Sequence, residues 1–449
     1  STFGGFLVTF MASSINIALP LIEEEFHVSA VTLSWISLAY TLMAGATLLP
    51  TGRASDMLGR IRFYAFGMAL FTVISFASAF APSAGALLAL RAIHGVALAI
   101  SWSTAAALVV EAFPARSRGR ALGLNIAGIY LGLTLGPVLG GLIIHNLGWR
   151  SLFLVLGGLG LVNLGVQLWK LSGIHASRPQ PGRFDVVGSL AYAGGLVAIL
   201  LGFSLLPGVT GVVLVVVGVA GLAGFVWWED RVSDPLLEVD LFRRNRVFAY
   251  SNAAAFINYA ATFAMIFLLS LYLQYNRGLN AQTAGYTLVA GTFVQSVMSP
   301  VAGRLADRVQ ARYLASVGMA IYALGLFALS FVSITTPYWY IIAMTCVLGV
   351  GFALFASPNN YIVMASLEPR LLTMGSATLA AMRLAGQSMS MGLATLVLAI
   401  QVGGRGIEPA DYPQVLTGVR TSFLIFTCLC ALGVGASLVG PKRREQPGA

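Results

Sequence analysis

Two arginines, Arg91 and Arg383, fall well inside apolar stretches of this chain. A lone cation at the centre of a bilayer costs about 2.5 to 3.5 kcal/mol or more unless it is paired or wetted. Residues placed this way line a water-filled path or brace their own helix through backbone carbonyls, and the residues alone leave both readings open. His94 lies one helical turn from Arg91 on the same face, while Ser376, Ala380, Arg383, Gln387 and Ser390 form a mostly polar stripe at helical spacing. With Asn258, Tyr259 and Asn359 they make a candidate solute-binding surface, and two guanidinium groups without a carboxylate favour negative or neutral solutes. His94 is also the candidate proton carrier, because imidazole changes charge near neutral pH.

Other chemistry finds no constellation. The four histidines, His27, His94, His145 and His175, are scattered, with no nucleophile-base or metal-ligand spacing. Cys346, Cys428 and Cys430 sit in apolar segments and indicate neither a disulfide framework nor a metal site. No enzyme, metal or cofactor is expected. The net charge of +10 raises nucleic acid as a partner, but there are just two lysines, Lys170 and Lys442, and no continuous basic face.

The elements that must position these residues follow from composition. Of 449 residues, 58% are hydrophobic and 9% charged, against about 25% charged in ordinary soluble proteins. Lipid is the solvent, and a single soluble enzymatic domain is excluded. With about 20 apolar residues needed per crossing, spans are predicted at Phe3 to Ile22, Val31 to Thr51, Phe63 to Pro82, Ala84 to Ala112, Arg120 to His145 and Ser151 to Leu171. A central pair follows at Val186 to Leu206 and Val209 to Trp228. The last six are Val247 to Gln274, Thr283 to Ala302, Tyr313 to Val332, Tyr338 to Ser366, Met374 to Val402 and Leu416 to Gly440. The expected class is an all-α integral membrane protein of about fourteen spans: a six-helix bundle (1–172), two additional helices (173–246) and a second six-helix bundle with a short tail (247–449). The apolar start reads as a permanent span rather than a cleaved signal. Most of the 26 basic residues fall in loops on one side, with Arg150, Arg277 and Arg405 on the other. The positive-inside rule then puts both termini in the cytoplasm.

Gly52-Arg53-Ala54-Ser55-Asp56 after the second span returns as Gly303-Arg304-Leu305-Ala306-Asp307 after the tenth. This is an internal duplication. The chain here resembles the major facilitator superfamily, in particular its fourteen-helix drug:proton antiporters. The carriers of the resemblance are the G-x-x-x-D-x-x-G-R pattern from Gly52 to Arg60 and the span-five run Gly132-Leu133-Thr134-Leu135-Gly136-Pro137-Val138-Leu139-Gly140-Gly141. Asn16-Ile17-Ala18-Leu19-Pro20, Arg91 to Gly95, Gly148-Trp149-Arg150, Tyr272-Leu273-Gln274 and Ser357-Pro358-Asn359-Asn360 add to it.

The resemblance implies a monomeric inner-membrane transporter that exports drug-like molecules by alternating access in exchange for protons. The acidic residue such antiporters carry in span one is replaced here by Met11, beside Ser13 and Ser14, which weakens a carboxylate proton route. A carrier of organic anions or metabolites using Arg91 and Arg383 is the second reading; a non-transporting membrane sensor is the third. Gly132, Gly136 and Gly140 share one helical face, and Pro137 bends it. That face is expected against span ten, with an ordinary packing seam between neighbouring helices as the alternative. A gate is expected from Gly52, Asp56, Gly59, Arg60 and Glu111, repeated more weakly by Gly303, Asp307 and Arg308. Asp56 would meet the amino-terminal end of span thirteen, and Arg60 would pair with Glu111.

Overall fold

A computed structural model describes residues 2–112, 115–171, 184–206, 208–232, 234–367, 372–403 and 407–438. Side chains at 30, 106–107, 109–112, 115–127, 130, 170–171, 307–308, 372–374 and 376–377 lie outside that description. The elements are helices: α1 (Thr2–Phe26), α2 (Ala30–Leu58), α3 (Arg60–Ala79), α4 (Ala84–Ala112), α5 (Ala115–Leu147), α6 (Trp149–Leu171), α7 (Val186–Leu205), α8 (Val209–Glu229), α9 (Val239–Arg244), α10 (Arg246–Thr262), α11 (Met265–Leu271), α12 (Ala281–Arg308), α13 (Ala311–Leu329), α14 (Tyr338–Ala365), α15 (Leu372–Gln401) and α16 (Tyr412–Ser437). Helix starts follow their caps. Ser29, Asn245 and Asn280 each accept a hydrogen bond from the backbone N-H three residues on, at 3.2, 3.0 and 2.8 Å.

The duplication is visible in which helices touch. In the first half α1 packs on α5, α2 on α4, and α3 on both α4 and α6. In the second α10 packs on α15, α12 on α14, and α13 on both α14 and α16. The two halves meet through α5 against α12 and α2 against α15, which are equivalent pairs under the same correspondence. The extra hairpin α7–α8 docks through α7 on α2 and α15.

Among the described residues, twelve helices are long and apolar enough to cross a membrane. α5 and α12 run alongside them in the bundle but are not among the twelve. The apolar described part of α5 is Leu131–Leu147, and α12 carries Thr283, Thr287, Thr292, Ser296 and Ser299 on its length.

Two sequence expectations change and a third is refined. The expected loop at Gly52 to Arg62 is helical through Leu58, and the chain turns only at Gly59, whose φ of 93° is one that residues with a Cβ rarely adopt. Its repeat, Gly303 to Arg308, is likewise helical, as the end of α12. The span expected at Val247 to Gln274 stands as one candidate crossing, Arg246–Asn276, but its helix is interrupted at Phe263 and Ala264 and closes in a π-helical turn, Tyr272–Asn276. No Gly or Pro signals that break. The Ala264 N-H it frees donates to Ser390 Oγ of α15 at 3.0 Å, so a neighbouring helix satisfies what the break exposes.

Candidate functional site

Arg91 enters the first half from α4, about 10 Å along it from Ala84 at 1.5 Å per residue. Its side chain is fully buried. Nε donates to the Ile36 carbonyl of α2 at 3.1 Å, and the guanidinium lies 4.4 Å from the centre of the Tyr40 ring. Tyr40 in turn donates its hydroxyl to the Val8 carbonyl of α1 at 2.8 Å. Arg91 thus joins α4 to α2 and, through Tyr40, to α1. Its two terminal nitrogens have no hydrogen-bond partner among the described residues, and the ring face is the compensation, at about 0.5 to 2 kcal/mol.

His94 leads elsewhere. Also fully buried, it places Nε2 3.0 Å from Ser75 Oγ and 3.3 Å from the Phe71 carbonyl, both in α3. Its ring lies between Phe71 and Phe153 of α6, with centroids 5.3 and 6.3 Å away. One turn apart in sequence, Arg91 and His94 face different neighbours: α2 for the first, α3 and α6 for the second.

In the second half the candidate residues do converge. Arg383 lies on α15 inside its apolar stretch Thr378–Gln401. Its guanidinium lies 5.1 Å from the centre of the Tyr259 ring on α10. The two helices come close because Gly386 faces the Phe256 carbonyl, where an added Cβ would lie 2.5 Å from that oxygen and 3.0 Å from Tyr259 Cβ. Tyr259 continues into an aromatic run, edge-on to Phe352 of α14 at 5.5 Å, which meets Tyr322 of α13 at 6.4 Å. Arg383 and Gln387 are half-buried one turn apart, whereas Asn258 and Asn359 are buried. Asn258 has neither its amide nitrogen nor its oxygen hydrogen-bonded among the described residues. Arg383 and Gln387 therefore share one partly exposed stripe of α15, with the buried Tyr259 ring against Arg383.

The span-five glycines have a neighbour other than the one expected. Gly132, Gly136 and Gly140 face Thr9, Ser13 and Ser14 of α1, so closely that a Cβ at any of them would collide. Ser14 Oγ donates to the Gly136 carbonyl at 2.9 Å, and Thr9 Oγ1 to the Ile129 carbonyl at 3.0 Å. The contact with α12 uses the adjacent face: Gly141 abuts the Ala281 carbonyl, Gly285 abuts the Pro137 carbonyl, and Thr134 Oγ1 is 2.7 Å from Ser296 Oγ. Residues at i and i+4 share one stripe while i+1 and i+5 turn by about 100°. The run therefore serves two partners with two stripes, and Pro137 and Gly141 lie on the second. Ser13 and Ser14, the neighbours of the Met11 that replaces the expected carboxylate, are buried in this α1–α5 seam.

At the expected gate, Asp56 and Arg60 pair with each other across the Gly59 turn, Nε to Oδ1 at 2.8 Å. Side chains of Glu111, Asp307 and Arg308, and residues 368–371 before α15, lie outside the described residues. Among the described residues, the nearest atom to a Gly52 Cβ lies at 3.9 Å and none lies within 4 Å at Gly303.

The opposite face is where sequence reading missed the most. Ser270 of α11 donates to the Asn16 carbonyl of α1 at 2.8 Å, while Asn16 Oδ1 accepts from Ser37 Oγ at 2.8 Å. Thr395 of α15 donates to Ser34 Oγ of α2 at 2.8 Å, and Tyr275 donates to Glu23 at 3.3 Å. Asn16 carried a motif signal; the serines and threonines carried none.

The sequence model of the Major Facilitator Superfamily matches residues 1–227 and 252–449. Riboflavin transporter RibZ of Clostridioides difficile (strain 630) is 28% identical over 385 residues, covering 85% of this chain and 83% of RibZ. Multidrug resistance protein Stp of Mycobacterium tuberculosis (strain CDC 1551 / Oshkosh) is 30% identical over 404 residues, covering 88% and 74%. A bacterial homologue of the human lysosomal transporter Spinster superposes with a TM-score of 0.64 over 97% of this chain and 95% of that one, at 15% identity.

Proposed function

The chain belongs to the Major Facilitator Superfamily, a multi-pass transporter of small molecules rather than an enzyme, and on that premise we propose that it exports amphipathic or drug-like solutes across the plasma membrane by alternating access, with protons as the exchanged ion. In this reading two six-helix halves (1–172 and 247–449) and the inserted pair (173–246) make fourteen spans, α5 and α12 included, with both termini cytoplasmic.

The observation that carries the proposal is the asymmetry between the two faces. On the face opposite the G-R-x-[AS]-D segments, α1 and α11, and α2 and α15, are joined by hydrogen bonds between the halves. On the other face Gly52 and Gly303 have no close neighbour among the described residues. This supports a conformation closed outside, with Arg383, Tyr259 and Gln387 as the solute-contacting surface between the halves. A half-buried guanidinium over an aromatic ring suits an amphipathic solute, since it offers charge, hydrogen bonds and a π face together. The multidrug resistance name of one relative supports the same substrate class.

Carriage of metabolites or organic anions is the second reading. Arg383 has no acidic partner among the described salt bridges, and another relative is named for riboflavin transport. Transport by purified protein in proteoliposomes, with and without a pH gradient, separates the two. Gradient-driven export of lipophilic drugs supports the first; anion uptake with no drug export supports the second and rejects the first.

A further inference from the structure

Two carboxyl groups are buried against each other where the hairpin α7–α8 meets its connections. Asp185, preceding α7, and Glu229, ending α8, are 8% and 3% exposed. Asp185 caps α7 by accepting from Gly188 N at 2.9 Å, and both its oxygens lie 3.1 Å from Trp228 Nε1. Glu229 Oε2 accepts from Leu237 N at 3.0 Å. Its other oxygen, Oε1, receives no hydrogen bond from a described donor; it and Asp185 Oδ2 crowd the same side of Gly188. Gly188 makes room for the meeting. A Cβ there would lie 2.5 Å from Glu229 Oε1 and closer still to Asp185 Oδ2.

Two ionised carboxylates at that separation repel strongly in a buried setting, and a single proton turns the repulsion into a charge-assisted hydrogen bond. We propose that Asp185 and Glu229 form a proton-binding site, in which Glu229 Oε1 carries one proton and donates it to Asp185 Oδ2, and that this proton holds residues 234–238 against α2. Asp185 is the ionised member, because it already accepts from Gly188 and Trp228. The held segment reaches α2 through Asp234, which pairs with Arg53 at 3.1 Å, and Arg53 belongs to the G-R-x-[AS]-D pattern. Loss of the proton leaves a second buried negative charge. Glu229 then turns to water, Leu237 loses its acceptor, and the tie to Arg53 loosens.

Of the other described charges around the pair, Asp230 is held by Arg243 at 2.7 Å, Arg231 lies 4.0 Å over Trp227, Asp240 accepts from Arg244 at 2.8 Å, and Glu238 and Arg246, which line the same cavity as Glu229, are exposed. Arg183 lies outside the described residues. The site does not depend on what the chain transports.

The test is hydrogen exchange of residues 230–240 in the full chain in lipid nanodiscs, across roughly pH 5 to 9 and corrected for intrinsic exchange, beside infrared titration of protonated carboxyl groups. The wild type is expected to lose about tenfold in protection as pH rises, the worth of one lost hydrogen bond to a charged or strongly polar group. Glu229→Gln, whose carboxamide supplies both a donor and an acceptor, is expected to stay protected throughout and to lack one carboxyl band. A Glu229→Gln chain that follows the wild type's pH response overturns the proposal. Should that variant not fold, the wild type decides alone: a carboxyl band lost in step with protection supports the site, and the absence of such a band overturns it.

Discussion

Arg91 and Arg383 are both guanidinium groups laid over a tyrosine ring inside the membrane, at 4.4 and 5.1 Å, yet their surroundings leave different things open. Arg91 is fully buried, its Nε spent on a carbonyl of the adjacent helix and its ring partner bonded onward to a third. Arg383 is half-buried and lies beside Gln387 on a helix that faces the other half of the molecule. The same residue pair thus braces three helices in the first half, while in the second its arginine keeps part of its surface exposed. Rarity of the residue type in lipid does not separate these roles; residual exposure does.

Truncating the brace should have the largest effect. Arg91→Ala leaves a cavity and an unpaired carbonyl and is expected to cost about 2 to 4 kcal/mol of stability, read as a lowered melting temperature in detergent. Arg91→Met, apolar and of similar volume, should recover most of it. Ligand affinity unchanged in Arg91→Met would sharpen the contrast, and affinity lost there with stability intact would break it. Arg383→Ala should do the reverse, weakening binding of an anionic or amphipathic ligand by about 10- to 100-fold, the worth of a charge-assisted hydrogen bond, with little change in melting temperature.

Smaller effects follow along the same line. Tyr40→Phe removes the hydroxyl bonded to Val8 while keeping the ring under Arg91, and should cost about 1 kcal/mol in stability without touching affinity. His94→Gln, in a site closed by Phe71 and Phe153, should leave the response of transport to an imposed pH gradient unchanged. A flattened gradient response would return proton coupling to His94.

The duplication is readable from sequence because two copies of G-R-x-[AS]-D stand on equivalent helices, α2 and α12, and spans are readable because lipid demands long apolar runs. The gate segment reads as a loop because Gly and charged residues look like turns, while nothing but Gly59 takes a turning φ there. The direction of His94 escapes for a different reason. A 3.6-residue period places two residues on one face of α4, but a turn of separation is enough for one side chain to enter the α2 groove and the next the α3 groove. At the Ala264 break and in the bonds Ser34–Thr395 and Ser270–Asn16, small hydroxyl side chains meet a backbone N-H, another hydroxyl or a backbone carbonyl, and such serines and threonines are too common in sequence to stand out singly. The stripe along α15 is visible, since polar residues at helical spacing are costly in lipid.

Alternating access itself is tested most directly by spin-label distances between the halves on both faces at once. Labels at Leu58 and Val309, both exposed, report the face of the G-R-x-[AS]-D segments; labels at Phe80 and Ile334, also exposed, report the opposite one. Under a transported solute and a pH gradient the two distances should change in opposite senses. Distances that stay fixed, or that lengthen together, would contradict two halves rocking about a shared solute surface.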